Sequence, residues 1–149
     1  MITSSSKLTI RYWFPVVIWM GVIFWMSTGS FSSDNTSLFI EPILHFLFPG
    51  ISTTEVASLH GWIRKAGHVT EYSILGILLF RAFRSESGQP WRLRWSIQAV
   101  IVLLIYALSD EFHQSYVATR TASIIDVGID LAGGMLALFA IAIRYHPRR

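Results

Sequence analysis

SIIDVGIDLAGGMLALFAIAI, residues 123–143, is apolar over a membrane-spanning length, yet it opens with two aspartates four residues apart, Asp126 and Asp130. A spanning helix needs about 20 mainly apolar residues, and a carboxylate at membrane depth costs roughly 2.5–3.5 kcal/mol on insertion scales. Acids kept in such a place must pair, hold a cation or do chemistry. Outward from this stretch, Glu71, Asp110 and Glu111 also sit in apolar surroundings, so five of the 9 acidic residues occupy segments otherwise suited to a bilayer. A polar site within a membrane is the expectation.

Composition points the same way. The chain is 52% hydrophobic and 14% charged, with a mean hydropathy of +0.49, far from the balance of a soluble domain. Its 149 residues accommodate about four spans with short connections, predicting one all-α, integral-membrane four-helix bundle over residues 1–149. With 0 cysteines, disulfides, thiolate catalysis and cysteine-ligated metals are excluded. A pI near 9.6 could suggest nucleic acid. Most of the basic residues are arginines at predicted helix ends, however, the pattern of membrane topology and not of a nucleic-acid-binding face.

The expected spans are residues 12–27, 66–83, 95–117 and 123–143. Trp13, Trp19 and Trp25 in the first, with no A-x-A-like site after it, argue against a cleaved signal peptide. Between spans one and two, Leu38 to Phe48 is apolar but too short to cross and carries Glu41 and Pro42, so an interfacial or re-entrant segment is expected. Arg81, Arg84, Arg92 and Arg94 crowd the connection between spans two and three, Lys7 and Arg11 precede span one, and Arg144, Arg148 and Arg149 end the chain. Such clusters mark the cytoplasmic side, so both termini are expected in the cytoplasm. Trp13, Trp62, Trp91 and Trp95 near helix ends read as an aromatic belt. His45 and His60 read as interfacial, and His146 as solvated.

In that topology Lys65, His68 and Glu71 lie in the outer turns of span two, Asp110, Glu111, His113 and Gln114 in those of span three, and Asp126 and Asp130 begin span four. Spacings of three and four residues place them on shared helix faces, with Gly133, Gly134 and Ala137 continuing the last face as a surface for close packing. Three arrangements are open. Lys65, His68 and Arg120 could neutralise the acids in a structural network. His68, Glu71, Glu111, His113 and the aspartates could ligate a divalent cation, although H-E-x-x-H is absent. A buried carboxylate beside His68 could instead perform acid/base chemistry. No phosphate-cradling glycine loop or G-x-S-x-G elbow is present.

Taken together, the blocks KAGHVTEY at 65–72, SDEFHQ at 109–114 and RTASIIDVGIDLAG at 120–133 resemble the VanZ-like family, with a weaker likeness reaching Met26 and Ser27. The resemblance implies a small bacterial cell-membrane protein whose relatives include one that lowers susceptibility to teicoplanin more than to vancomycin. Its signature falls on Lys65, His68, Glu111, Gln114, Arg120, Ser123 and Asp126. This chain departs at Ala118 and Thr119, where proline and glycine are frequent, and at Asp130, where asparagine is frequent. The expectation is an outward-facing site at the outer leaflet that binds or alters an envelope component or an amphiphilic lipoglycopeptide. Glu111 is the expected acid/base group, His68 its partner and Asp126 the orienting carboxylate. Lys65 and Arg120 are expected to recognise an anionic moiety, with Gln114, Glu71, Ser123 and Asp130 completing the lining. The expected partners are the lipid bilayer and a lipid-linked precursor or lipoglycopeptide, with no nucleic acid. No resident cofactor is expected, a divalent cation being the alternative. The rival functions are a proton- or cation-coupled carrier and a structural adaptor subunit.

Overall fold

A computed structural model describes residues 4–29, 32–117 and 122–145. These residues form five helices and no strands: α1 Ser4–Met26, α2 Ser33–Leu47, α3 Thr53–Arg84, α4 Leu93–Gln114 and α5 Ile124–Tyr145. Three of them are long and apolar enough to cross a membrane, over Thr9–Met26, Leu93–Gln114 and Ile124–Tyr145. All three present large apolar side chains outward, among them Phe14 and Val17 of α1, Ile101 and Ile105 of α4, and Leu136 and Phe139 of α5. In water each such side chain would forgo about 1.5–3 kcal/mol of burial, so these faces fit lipid.

The predicted second span lies inside α3, which packs against α1, α2, α4 and α5. Its position explains its composition. From Tyr72 to Arg84 its one exposed large apolar side chain is Ile77, while Tyr72, Leu75 and Leu79 are fully enclosed by protein. A helix sheathed by neighbours can keep His68 and Glu71 partly buried, and α3 is not among the three helices long and apolar enough to cross. Opposite it, Ala99, Leu103 and Ala107 of α4 recur every four residues and are fully buried, the spacing of a packing stripe.

α3 also begins earlier than the apolar pattern suggests. Ser52 caps it: the Ser52 hydroxyl accepts from the Glu55 backbone N–H, while the Glu55 carboxylate accepts from the Ser52 backbone N–H at 2.9 Å. This reciprocal box satisfies two donors of the first turn, and those hydrogen bonds hold the exposed Glu55 carboxyl below the usual carboxylate range. The segment expected to be interfacial or re-entrant is helix α2, capped by Ser32 and lying against α3.

Two readings of single residues change. His60 is buried, 6% exposed, with its Nε2 2.9 Å from the Thr36 hydroxyl, so it joins α2 to α3 and is not interfacial. Trp95 is no belt residue: it is 2% exposed and packs edge-on against Phe80. The guanidinium groups of Arg92 and Arg94 lie over its ring, so the helix end it marks is roofed by charge.

α3 and α5 meet most closely. A Cβ at Gly133 would lie 2.5 Å from the Val69 carbonyl oxygen, and one at Gly76 would lie 3.0 Å from that of Gly134. Ser73 donates to the Gly133 carbonyl at 2.8 Å across the same contact. Small residues let backbones approach in this way, and the approach carries the polar face of α5 up to α3.

Candidate functional site

The two ends of the molecule differ in chemistry. At one end Arg11 and Arg81 both lie over the Tyr12 ring, Trp13 meets Phe83 edge-on, and Arg92 and Arg94 cover Trp95. At the other, buried carboxylates from α4 and α5 meet hydroxyl, amide and imidazole partners from α1, α3 and α4.

The first polar cluster joins α1 to α4. Ser27, just past the end of α1, donates its hydroxyl to Asp110 Oδ1 at 2.6 Å. Gln114 Nε2 donates to Asp110 Oδ2 and to Ser27 Oγ, both at 3.0 Å. Asp110 and Gln114 are one helical turn apart, so one face of α4 presents both. All three side chains are buried, and the cluster satisfies both carboxylate oxygens, as burial requires.

The second joins α3 to α5. His68 Nδ1 lies 3.0 Å from Asp130 Oδ1, with the imidazole side chain 18% exposed and the aspartate 0%. Asp130 Oδ2 is buried and reaches no hydrogen-bond partner among the described residues. The third joins α4 to the start of α5: the Ser123 backbone N–H donates to Glu111 Oε2 at 2.6 Å, and the Ser123 hydroxyl accepts from the Ile125 N–H at 3.2 Å. Asp126, half-buried in the first turn of α5, lies within electrostatic range of Glu111, as do Asp110 and Asp130.

Beside these clusters a cavity of about 170 Å³ opens between α1, α2 and α3, lined by Met26, Ser27, Thr36, Ile40, Ile63, Arg64, Gly67, His68 and Glu71. Its α3 wall follows from helical spacing, since residues 64, 67, 68 and 71 form one stripe. The apolar lining comes from Met26, Ile40 and Ile63, and the ionisable lining from Arg64, His68 and Glu71.

The nominated residues therefore divide. His68 meets Asp130, not Glu111 or Asp126, and both His68 and Glu71 line the cavity. Glu111 and Ser123 meet each other, and Gln114 joins Ser27 and Asp110. Lys65 is exposed, its ammonium 5.4 Å from the centre of the Trp62 ring, and it is not part of the cavity wall. Arg120 lies outside the described residues. Arg64 was missed, though the signal was present: four residues before His68, it shares that residue's face more squarely than its neighbour Lys65. Asp110 was noticed in the polar stripe but not nominated, and Ser27 was legible only as a serine at a helix end. Among the described residues no three His, Asp or Glu side chains gather as a metal-ligating group.

Comparison with known proteins gives a match to a family model described as VanZ/LLP1, over residues 12–145. No curated protein and no solved structure matches the chain. The matched range takes in α1 from Tyr12 onward and the whole of the other four helices, with all three polar clusters and the cavity; the chain belongs to the VanZ/LLP1 family.

Proposed function

We propose that this is a four-span bacterial cell-membrane protein whose outward-facing polar site receives an amphiphilic envelope component or lipoglycopeptide at the outer leaflet. α3 is the fourth crossing in this reading, with its His68 and Glu71 partly buried among its neighbours. The arginine-rich end faces the cytoplasm with both termini, which turns the cavity and the carboxylate clusters outward.

The observation that carries the proposal is the cavity: apolar Met26, Ile40 and Ile63 stand beside Arg64, His68 and Glu71 in one wall system. A pocket of that mixed lining suits a molecule with an apolar and a polar part. Its neighbour α2 supports the reading, because Leu38, Phe39, Ile43 and Phe46 are exposed on a helix too short to span. Such a helix suits the lipid interface, where amphiphiles are presented.

The test is expression of the wild type, His68→Ala and Glu111→Gln in a susceptible bacterial host at matched membrane abundance, with growth inhibition by teicoplanin read beside vancomycin. The expected result is lowered teicoplanin sensitivity in the wild type, lost in both variants. Protection against neither drug by the wild type would move the carrier and adaptor readings ahead.

A further inference from the structure

We infer that His68 and Asp130 form a general-base pair that hydrolyses a carboxylic ester of an amphiphile in the α1–α2–α3 cavity, with Arg64 bracing the oxyanion. The inference rests on the outward amphiphile site proposed above and assigns it a reaction.

The geometry of the pair is the starting point. Asp130 engages His68 at Nδ1, and a carboxylate there fixes the ring's orientation and the tautomer that leaves Nε2 as the acceptor. His68 is also part of the cavity wall, and its Nε2 has no partner among the described residues. Asp130 is wholly enclosed, 0% exposed, three residues before the Gly133 backbone that lies against Val69. The pair is therefore set by the tightest helix crossing in the molecule, not by a loop.

Water is the nucleophile because the hydroxyls lining the cavity are engaged. Ser27 donates to Asp110 and accepts from Gln114, and the Thr36 hydroxyl donates to the Ser32 carbonyl at 2.8 Å while facing His60 Nε2. At about 30 Å³ per water in the liquid, a cavity of about 170 Å³ admits a polar head group with a reacting water. The alkyl part would lie along Met26, Ile40 and Ile63.

With His68 the one imidazole in the cavity wall, acyl chemistry is a reaction that this ring can serve alone. In addition–elimination at a carbonyl, the same nitrogen serves twice from one side. Nε2 takes a proton from water as its oxygen bonds to the carbonyl carbon. The tetrahedral oxyanion then collapses, the C–O ester bond breaks, and the imidazolium returns the proton to the departing alkoxide. Ester and water become acid and alcohol, and His68 ends neutral. In-line displacement at phosphorus would place the leaving group on the far side, beyond reach of this ring. Arg64, one turn before His68 and about 5–6 Å away between Cβ atoms, supplies the positive charge toward which the oxyanion develops. Asp130 is a positioning residue, acting through His68.

The experiment uses the full chain purified in an alkyl maltoside, with p-nitrophenyl octanoate as the ester probe and octyl p-nitrophenyl ether as its non-hydrolysable analogue. Turnover and KM are measured for the wild type, His68→Gln, Asp130→Asn and, as a control away from the site, Ser109→Ala, with helical content checked for each. Wild-type turnover above the micelle background is expected, with kcat lowered on the order of 10²–10⁴-fold in His68→Gln. Asp130→Asn is expected to lower kcat with KM and ether binding unchanged, a split that a purely structural role would not produce. Ser109→Ala should match the wild type. Ether binding without wild-type turnover, or turnover retained in His68→Gln, overturns the base pair and leaves the amphiphile site standing. Absence of both binding and turnover removes the amphiphile reading and the inference with it.

Discussion

Removing the Ser27 hydroxyl strips Asp110 Oδ1 of its donor and Gln114 of one acceptor inside a closed cluster. A buried acceptor left unsatisfied costs about 1–3 kcal/mol, and side-chain bonds between membrane helices average nearer 0.6 kcal/mol. Ser27→Ala is therefore expected to lower stability by about 1 kcal/mol, read as the midpoint of denaturation in mixed micelles, while Ser109→Ala leaves it unchanged. The residue scale is where sequence reading was weakest. Spacing along one helix puts His68 with Glu71 and Asp126 with Asp130, but it carries no information on which rows face each other. The His68–Asp130 contact depends on how α5 is rotated against α3, and that rotation is set by Gly133 meeting Val69.

Helices α3 and α5 allow a paired comparison. Gly133→Ala drives a Cβ to 2.5 Å from a backbone oxygen, whereas a Cβ at Gly128 meets nothing within 4 Å. Overpacking of this kind costs typically about 1–3 kcal/mol, and Gly→Ala in an open helical position gains roughly 0.5–1 kcal/mol. Gly133→Ala should lower, and Gly128→Ala raise, the thermal midpoint in the same detergent. The start of α3 gives a pH test. The Glu55 carboxyl is held below its ordinary value by Ser52, so its contribution is present above the unfolded carboxylate range and is lost as pH falls through the folded value. Hydrogen-exchange protection at residues 52–56, taken relative to the intrinsic rate at each pH, should fall on acidification, and Glu55→Gln, which can still complete a capping box, should remove that pH dependence. Element existence was legible where apolar runs were long, as in α1, α4 and α5. The early start of α3 was hidden because Thr53 to Arg64 mixes polar and apolar residues, and its extent is set by the Ser52 cap and by α2 lying beside it.

For the whole molecule, the absence of cysteine makes the topology directly testable. Gly50 and Gly88 are exposed, and a side chain at either meets nothing within 4 Å, so Gly50→Cys and Gly88→Cys should fold normally. With four crossings, a membrane-impermeant maleimide added to intact cells labels residue 50 and spares residue 88 until the membrane is opened. Labelling of both from outside would mean that α3 does not cross. The all-helical, membrane-suited character of the molecule was readable because long apolar runs are sums over many residues. The cavity was not, since it arises where α2 rests against α3, and no periodicity encodes that docking.

The attachment of α1 has an evolutionary side. Its Trp19 indole donates to the Glu71 backbone carbonyl at 2.9 Å, and the Tyr106 hydroxyl donates to the backbone carbonyl of Met20. A main-chain acceptor survives nearly every point mutation. Drift at position 71 can thus rewrite one wall of the cavity, in size or in sign of charge, while α1 stays moored to the same oxygen. The chemistry of the cavity wall and the anchorage of the helix are thus inherited separately at a single position.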